Sequence, residues 1–326
     1  MRFLFFLNLS FFFIFLSVFA DDRYEYTQID RELSLAISSK DYQLNKDSYC
    51  RKSSKPEDVL WFEDFLDNSL DDKVWTHSSG NGFKSGNNYV YGWGNNEQQF
   101  YRTSKYKETN TNDNLWIENG FLKLQPMKKK YRGFDFTSAR IHSKGKKVFT
   151  YPSKITFCFR VPNGIGLWQA FWLLPEKTNA WPPGGEIDIM EAKGRITNII
   201  SSALHYGNSP TDKSFTVKEI VVPASVKFQD KFHSITLEWR KDSLKFFLDN
   251  EENPYLSITP DSEDIFRFNY PFNDDFYLII NLAIGGNFDN NLLDPSALCI
   301  DKACSNHVDP DSKRFLIDWI EYSKLN

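Results

Sequence analysis

Three carboxylates lie close together in the run "GGEIDIMEAKG", residues 184–194: Glu186, Asp188 and Glu191. Two carboxyl groups held a few ångströms apart can cleave a glycosidic bond, one attacking the anomeric carbon while the other protonates the leaving oxygen. Mutual repulsion supports that division, because one ionised carboxylate raises the pKa of its neighbour and keeps it protonated near neutral pH. An acid between them can hydrogen-bond the nucleophile and hold it in place. Chemistry alone does not decide which glutamate takes which role.

The element that must position these groups poses a problem of register. Ile187, Ile189 and Met190 give the run an apolar side, as in a β-strand packed on a core. Strand side chains alternate faces, so Glu186 and Asp188 share one face and Glu191, five residues after Glu186, belongs on the other. A solvated edge explains one or two such acids, and explains apolar neighbours this dense poorly. One extra residue bulged at Ile189-Met190 returns Glu191 to the face of the other two. The glutamates are then four pleats apart, about 13 Å between Cα atoms at roughly 3.3 Å per residue. Inward-leaning side chains can reduce this to the roughly 5–5.5 Å between carboxyls that double displacement uses. The sequence therefore predicts a bulge, with Met190 as the extra residue.

Around this strand the pattern is almost wholly β. "FHSITLEWRKDSLKFFLDN" reads as a hairpin of two alternating runs turning at Arg240-Lys241-Asp242, and "FLKLQP", "KITFCFRVP", "SSALHYG", "FYLIINLAIGG" and "RFLIDWIEYS" read as further strands bounded by Gly, Pro, Asn or Asp. No helical repeat persists beyond two turns, and no fixed period suggests a propeller. Residues 58–326 are expected to form one all-β domain, a sandwich of two antiparallel sheets. Residues 21–57 are polar, weakly helical only at "RELSLAISS", and are read as an extension packed on or tethered to that domain.

Residues 1–20, "MRFLFFLNLSFFFIFLSVFA", combine Arg2, an apolar run and the ending Val18-Phe19-Ala20. This is the pattern of a signal peptide cleaved before Asp21; a membrane anchor is the alternative, and the charged "DDR" that follows favours removal. No second apolar run of spanning length occurs, so a secreted, extracellular protein without stable membrane insertion, and a monomer, is expected. The net charge is −4, and beyond "MKKKYR" there is no basic block suited to phosphate backbones, so nucleic acid is excluded as a partner. There is no N-glycosylation sequon outside the leader. The four cysteines allow three pairings in an oxidising compartment; Cys299 and Cys304 bracket a short polar loop, which makes that pair the first choice and leaves Cys50 with Cys158. No close CxxC pair supports a metal site. The 9 Trp and 15 Tyr suit the flat apolar faces of sugar rings, as well as a core.

Taken together, these segments resemble glycoside hydrolase family 16. "GGEIDIMEAKG" looks like the bulged Glu-x-Asp-x-x-Glu strand of its endo-β-1,3-glucanases (laminarinases), whereas the related lichenases and xyloglucan transglycosylases use an unbulged Glu-x-Asp-x-Glu. "LWFEDF", "LDDKVW", "GWGNNEQQFY", "NLWIENGFLKL", "FTSARI" and "GIGLWQAFWLLP" precede it in the family's order, and "SALHYG", "FHSITLEW", "FYLIINLAIGG" and "IDWIEY" follow.

The resemblance implies a concanavalin-like β-jelly-roll sandwich with a concave substrate groove, and retaining hydrolysis of laminarin-like β-glucans. It makes Glu186 the nucleophile, Asp188 its assistant and Glu191 the acid/base. It suggests glucan-binding roles for Trp93, Asn96, Glu97, Arg140, Trp168, Trp172, Trp181 and His205. Plainer readings exist: Trp172 as core, His205 as a satisfied buried histidine, Arg140 paired with an acid, Glu97 holding a loop through Gln98. Catalysis needs no cofactor. A structural Ca²⁺ on the convex face, held by oxygens of Glu63, Gly120 and Asp318, is also implied. Thr156 and Cys158 depart from the Glu and Arg often found on their strand, which puts local groove contacts or stability in question, not the chemistry. The alternatives are a non-catalytic β-1,3-glucan recognition protein, whose relatives have lost the catalytic glutamates, and a hydrolase of mixed-linkage β-1,3-1,4-glucan. Sulfated galactan fits the modest basic charge less well.

Overall fold

The computed structural model describes residues 23–25, 48–50, 54–102, 113–177, 181–223, 226–262 and 265–325. The leader and the "RELSLAISS" run lie outside these residues. Period-two patterning resolves into two eight-stranded sheets packed face to face. The first runs Arg23–Glu25, Asp212–Val221, Ile199–Ser209, Glu186–Lys193, Leu167–Pro175, Phe276–Ile284, Arg140–His142, Thr76–His77. In the second, Leu256–Ile258, Ser243–Leu248, His233–Arg240, Ser153–Arg160, Phe315–Lys324, Phe121–Leu124 and Leu115–Glu118 lie side by side, and Val59–Glu63 also pairs with Phe315–Lys324. Within these two sheets pairing is antiparallel apart from the parallel edge strand Arg23–Glu25. The arrangement is the jelly-roll sandwich, and its concave sheet carries the acidic strand.

Alternate residues of facing strands fill the space between the sheets. Phe171, Leu173, Ile187, Leu204, Leu278 and Ile280 come from the first sheet, and Ile155, Phe157, Ile235, Leu237 and Trp239 from the second. Phe157 stacks on Phe171 across the interface with centroids 4.3 Å apart. Burying either ring contributes about 1.5–3 kcal/mol. Among the described residues the helical elements are 3-10 turns of three or four residues, and none is long and apolar enough to cross a membrane.

The extension is stitched to this sandwich. Its Arg23–Glu25 strand adds to the edge of Asp212–Val221, the Tyr49 amide donates to the Phe232 carbonyl, and Cys50 is bridged to Cys158. The second disulfide joins Cys299 and Cys304. Both pairs are the ones favoured from sequence. One expectation needs correcting: Thr156 and Cys158 lie on the convex sheet, where Thr156 Oγ1 meets Thr236 Oγ1 at 3.0 Å and Cys158 holds Cys50. Their departure from the family pattern therefore leaves the groove contacts untouched.

Candidate active site

The acidic strand is bulged. Toward Leu167–Pro175, Phe171 pairs with Met190 and the next residue, Trp172, pairs with Asp188. Toward Ile199–Ser209, Asp188 opposes Ala203 and Glu191 opposes Ser201, so three steps match two. The residue without a counterpart on the first side is Ile189, one position before the Met190 expected. Ile189 and Met190 are both wholly buried in the core. Two consecutive apolar side chains pointing inward return Glu191 to the face of Glu186 and Asp188. The Ser202 hydroxyl donates to the Ile189 carbonyl at 2.6 Å, satisfying a backbone acceptor that the bulge displaces from the ladder.

Each glutamate is gripped by an indole. Trp181 Nε1 donates to Glu186 Oε2 at 2.5 Å, and Trp168 Nε1 donates to Glu191 Oε1 at 3.0 Å. Asp188, 4% exposed, lies between them with His205 Nε2 3.4 Å from its Oδ2. Trp168 lies flat on Phe288, centroids 5.0 Å apart, and does so because position 286 is glycine: a Cβ there would stand 3.0 Å from the indole.

Electrostatics follows from this crowding. Burial, then the charge of Asp188, pushes Glu186 up to about 8. Burial pushes Glu191 up to about 7, against the hydrogen bond from Trp168 and the nearby His205. Burial and the Glu191 charge also raise Asp188. Near neutral pH the three acids share protons instead of all ionising, so their titration belongs to the group. A hydrogen bond between Glu186 and Asp188 favours the proton on Glu186. Ligand atoms of Glu186, Asp188 and His205 lie within 4.8 Å of one another, close enough to gather around a cation as well as a proton.

Trp93, Glu97, Arg140 and Trp172 form a second cluster, and Asn96 stands outside it. Trp172, opposite Asp188 in register, is half-buried and donates from Nε1 to Asn281 Oδ1 at 2.7 Å, so it faces the acids' side of the sheet instead of the core. The Arg140 guanidinium lies 4.8 Å from the Trp172 ring and 4.2 Å from the Trp93 ring. Cation–π contact with two indoles fixes it without direct salt-bridge geometry. Glu97 is buried, its Oε2 accepting from Gln99 Nε2 at 2.6 Å and Tyr101 OH at 2.9 Å, and burial raises its pKa against the pull of Arg140. It supports the cluster from below, by means of Gln99 and not the expected Gln98. Asn96 is exposed and its Nδ2 reaches Asn287 Oδ1 at 2.7 Å.

Asn281, Phe288, Gln99 and Tyr101 were not singled out beforehand. Asn281 left a readable signal, a lone amide within the apolar "FYLIINLAIGG". Phe288 left none, since stacking on Trp168 is a tertiary contact.

Glu63, Gly120 and Asp318 lie on neighbouring segments at one junction of the convex sheet, with Asp318 Oδ2 3.7 Å from Cys158 Sγ. Glu63 opposes Ile320 and Leu122 opposes Ile317, which places the Gly120 turn and the end of Val59–Glu63 on either side of Asp318. Asp318 is itself the residue without a counterpart where Cys158 and Phe159 oppose Trp319 and Ile317. Burial raises the Glu63 carboxyl pKa, and its Oε2 accepts from Trp75 Nε1 at 3.1 Å. Two carboxylates and a turn carbonyl at a sheet junction are donors that fit a hard cation such as Ca²⁺.

The sequence profile described as "Glycosyl hydrolases family 16" matches residues 96–292, and the chain belongs to this family. The chain is 32% identical over 238 residues to a glucan endo-1,3-beta-glucosidase of Cryptopygus antarcticus, covering 70% of this chain and 80% of the relative. It is 29% identical over 247 residues to glucan endo-1,3-beta-glucosidase A1 of Niallia circulans, covering 71% of this chain but only 34% of that longer relative. Among solved structures it resembles the endo-beta-1,3-glucanase of Pyrococcus furiosus, with a TM-score of 0.66, 28% identity, and 82% of this chain and 95% of the other covered. A beta-1,3-glucan-binding protein of Penaeus monodon is 30% identical over 176 residues, covering 46% of this chain and 47% of that protein.

Proposed function

We propose that the protein is a secreted, monomeric, retaining endo-β-1,3-glucanase that hydrolyses laminarin-like β-glucans. The observation that carries this reading is the bulge, which puts Glu186, Asp188 and Glu191 on one face with an indole N–H on each glutamate. Glu186 attacks the anomeric carbon while Glu191 protonates the leaving glycosidic oxygen; Glu191 then takes a proton from water as that water opens the glycosyl-enzyme at the same carbon, with net retention. For Glu186 to attack, the proton it shares with Asp188 must pass to Asp188, which then donates a hydrogen bond to the ionised nucleophile. Asp188 is thus a positioning residue and a local proton store. Trp93, Asn96, Arg140, Trp168, Trp172, Trp181 and His205 line the path of the sugar chain, with Glu97 bracing Arg140. A structural Ca²⁺ held by Glu63, Gly120 and Asp318 stabilises the convex sheet and takes no part in the chemistry.

The test is reducing-sugar release from laminarin, lichenan and a xyloglucan by the wild type, Glu186→Gln and Glu191→Ala. Laminarin is the expected best substrate, and each variant loses at least about a hundredfold in rate. On a dinitrophenyl glucoside, whose leaving group needs no acid, Glu191→Ala keeps its first step and Glu186→Gln does not. Full activity in Glu186→Gln sinks the mechanism. Glucan binding without hydrolysis by the wild type identifies a recognition protein, and preference for lichenan a mixed-linkage enzyme.

A further inference from the structure

The outer face of the concave sheet carries an aromatic side chain that none of the roles above uses. Glu186 stands directly opposite His205, and His205 directly opposite Phe215, so the three form one row across three adjacent strands. Cross-strand partners share a face, and strands lie about 4.8 Å apart, which sets Phe215 about 10 Å from Glu186 in backbone position. Its neighbour Thr216 is buried and meets the Tyr206 hydroxyl at 3.0 Å, so Phe215 must point to the side of the acids. The hairpin that delivers it depends on Gly207, where a Cβ would stand 2.5 Å from the Asp212 carbonyl oxygen.

Phe215 is 61% exposed, a cost that packing among the described residues does not recover. Single exposed apolar residues are ordinary, but this ring does not stand singly. It lies 6.0 Å from His205 at 34°, and His205 lies 6.1 Å from Trp181, the indole that holds Glu186. Lys213, on the same face of the Phe215 strand, sits 4.5 Å over Trp181 and fixes that indole from the outer side. The rings thus run from the reacting carboxylate outward, at a pitch close to one strand per ring.

We propose that Phe215 is a stacking platform for a glucosyl unit about two residues beyond the unit at Glu186, and so sets a preference for long β-glucan chains. This rests on the glycosidase reading of the site. A ring of this kind offers an apolar plane to the C–H face of a pyranose, and binding energy gained away from the cleaved bond can be used to hold the reacting sugar in position. Truncated substrates then lose turnover as well as affinity.

The experiment compares wild type, Phe215→Ala and Phe215→Tyr on β-1,3-gluco-oligosaccharides of increasing length and on laminarin. Phe215→Ala should lower kcat/KM about tenfold for chains long enough to reach the ring, from a stacking contribution of this order. Shorter chains should be cleaved as by the wild type, Phe215→Tyr should restore the long-chain rate, and the melting temperature should not move because the side chain is exposed. Equal rates at every length, or an equal loss at every length, overturns the platform while leaving the glucanase reading intact. Laminarin binding is also measured in the Glu186→Gln background. If the wild type cleaves no glucan yet Phe215→Ala there weakens binding tenfold, the enzyme reading fails and the platform stands; unchanged binding removes both.

Discussion

The chemistry at the residue scale depends on keeping two like groups in unlike states. Burial raises Glu186 and Glu191 to about 8 and about 7, and what separates them is a small set of contacts. The Trp168 indole N–H stabilises the ionised form of Glu191 against its burial. Trp168→Phe keeps the stacking surface on Phe288 but removes this donor, so the Glu191 pKa rises further. The alkaline limb of kcat/KM, set by the group that must be protonated, should move up by about one pH unit. A limb that stays in place assigns it to another group. The carboxylates were legible in the sequence because three acids beside Ile187, Ile189 and Met190 are costly without a purpose. Their indole partners were legible as sugar-binding candidates only: nothing in the spacing of Trp168 and Trp181 says that their N–H groups reach the two acids.

At the element scale the bulge is the determining feature, and its existence follows from sequence. Period two cannot bring Glu191 to the face of Glu186 without one extra residue. That Ile189, not Met190, is left over toward Leu167–Pro175 depends on how the neighbouring strands slide, which is a property of pairing. Two disulfides and one sheet junction bear on stability away from the acidic strand. The Cys50–Cys158 bridge spans 108 residues and the Cys299–Cys304 bridge 5. Loop entropy gives about 4–5 kcal/mol for the first and about 2 kcal/mol for the second. Paired alanine substitution of Cys50 and Cys158 should lower the melting temperature by roughly 10 °C, and that of Cys299 and Cys304 by less than half as much; the reverse order would reject the entropic account. At the junction of Glu63, Gly120 and Asp318, chelation of Ca²⁺ should lower the melting temperature by several degrees and leave kcat unchanged. A melting temperature indifferent to chelator removes the calcium proposal, and a fall in kcat without one would place the ion at the active site.

For the whole molecule, the buried acids are a stability cost that varies with pH. The folded-state pKa values of Glu186 and Glu191 lie above the ordinary 4.5. Between pH 4.5 and about 8 the folded protein therefore binds more protons than the unfolded chain. The stability these groups contribute is complete below pH 4.5 and is lost as pH rises through about 7 to 8. Surface acids act oppositely: Asp294 and Asp301 are lowered by their hydrogen bonds to Ser296 and Ser305, and lose their contribution on acidification. Glu186→Gln removes one buried charge, so its melting temperature relative to wild type should rise between pH 5 and pH 8. The gain is about 1–2 kcal/mol after allowance for solvent at the groove. A pH-independent difference would mean that Glu186 ionises freely.

The sequence by itself determined the all-β class, the presence of a bulge and the face on which three carboxylates must lie, whereas the disulfide pairing it only ranked. These follow from local rules, namely the period of a strand and the cost of grouping like charges. Only the tertiary structure decided that Arg140 lies between Trp93 and Trp172, that Glu97 is covered by Gln99 and Tyr101, and that Thr156 and Cys158 belong to the sheet away from the groove. It also set Phe215 in one row with His205 and Glu186. Those contacts join residues far apart in the chain through strand order and register, and neither is encoded in the spacing of any single segment.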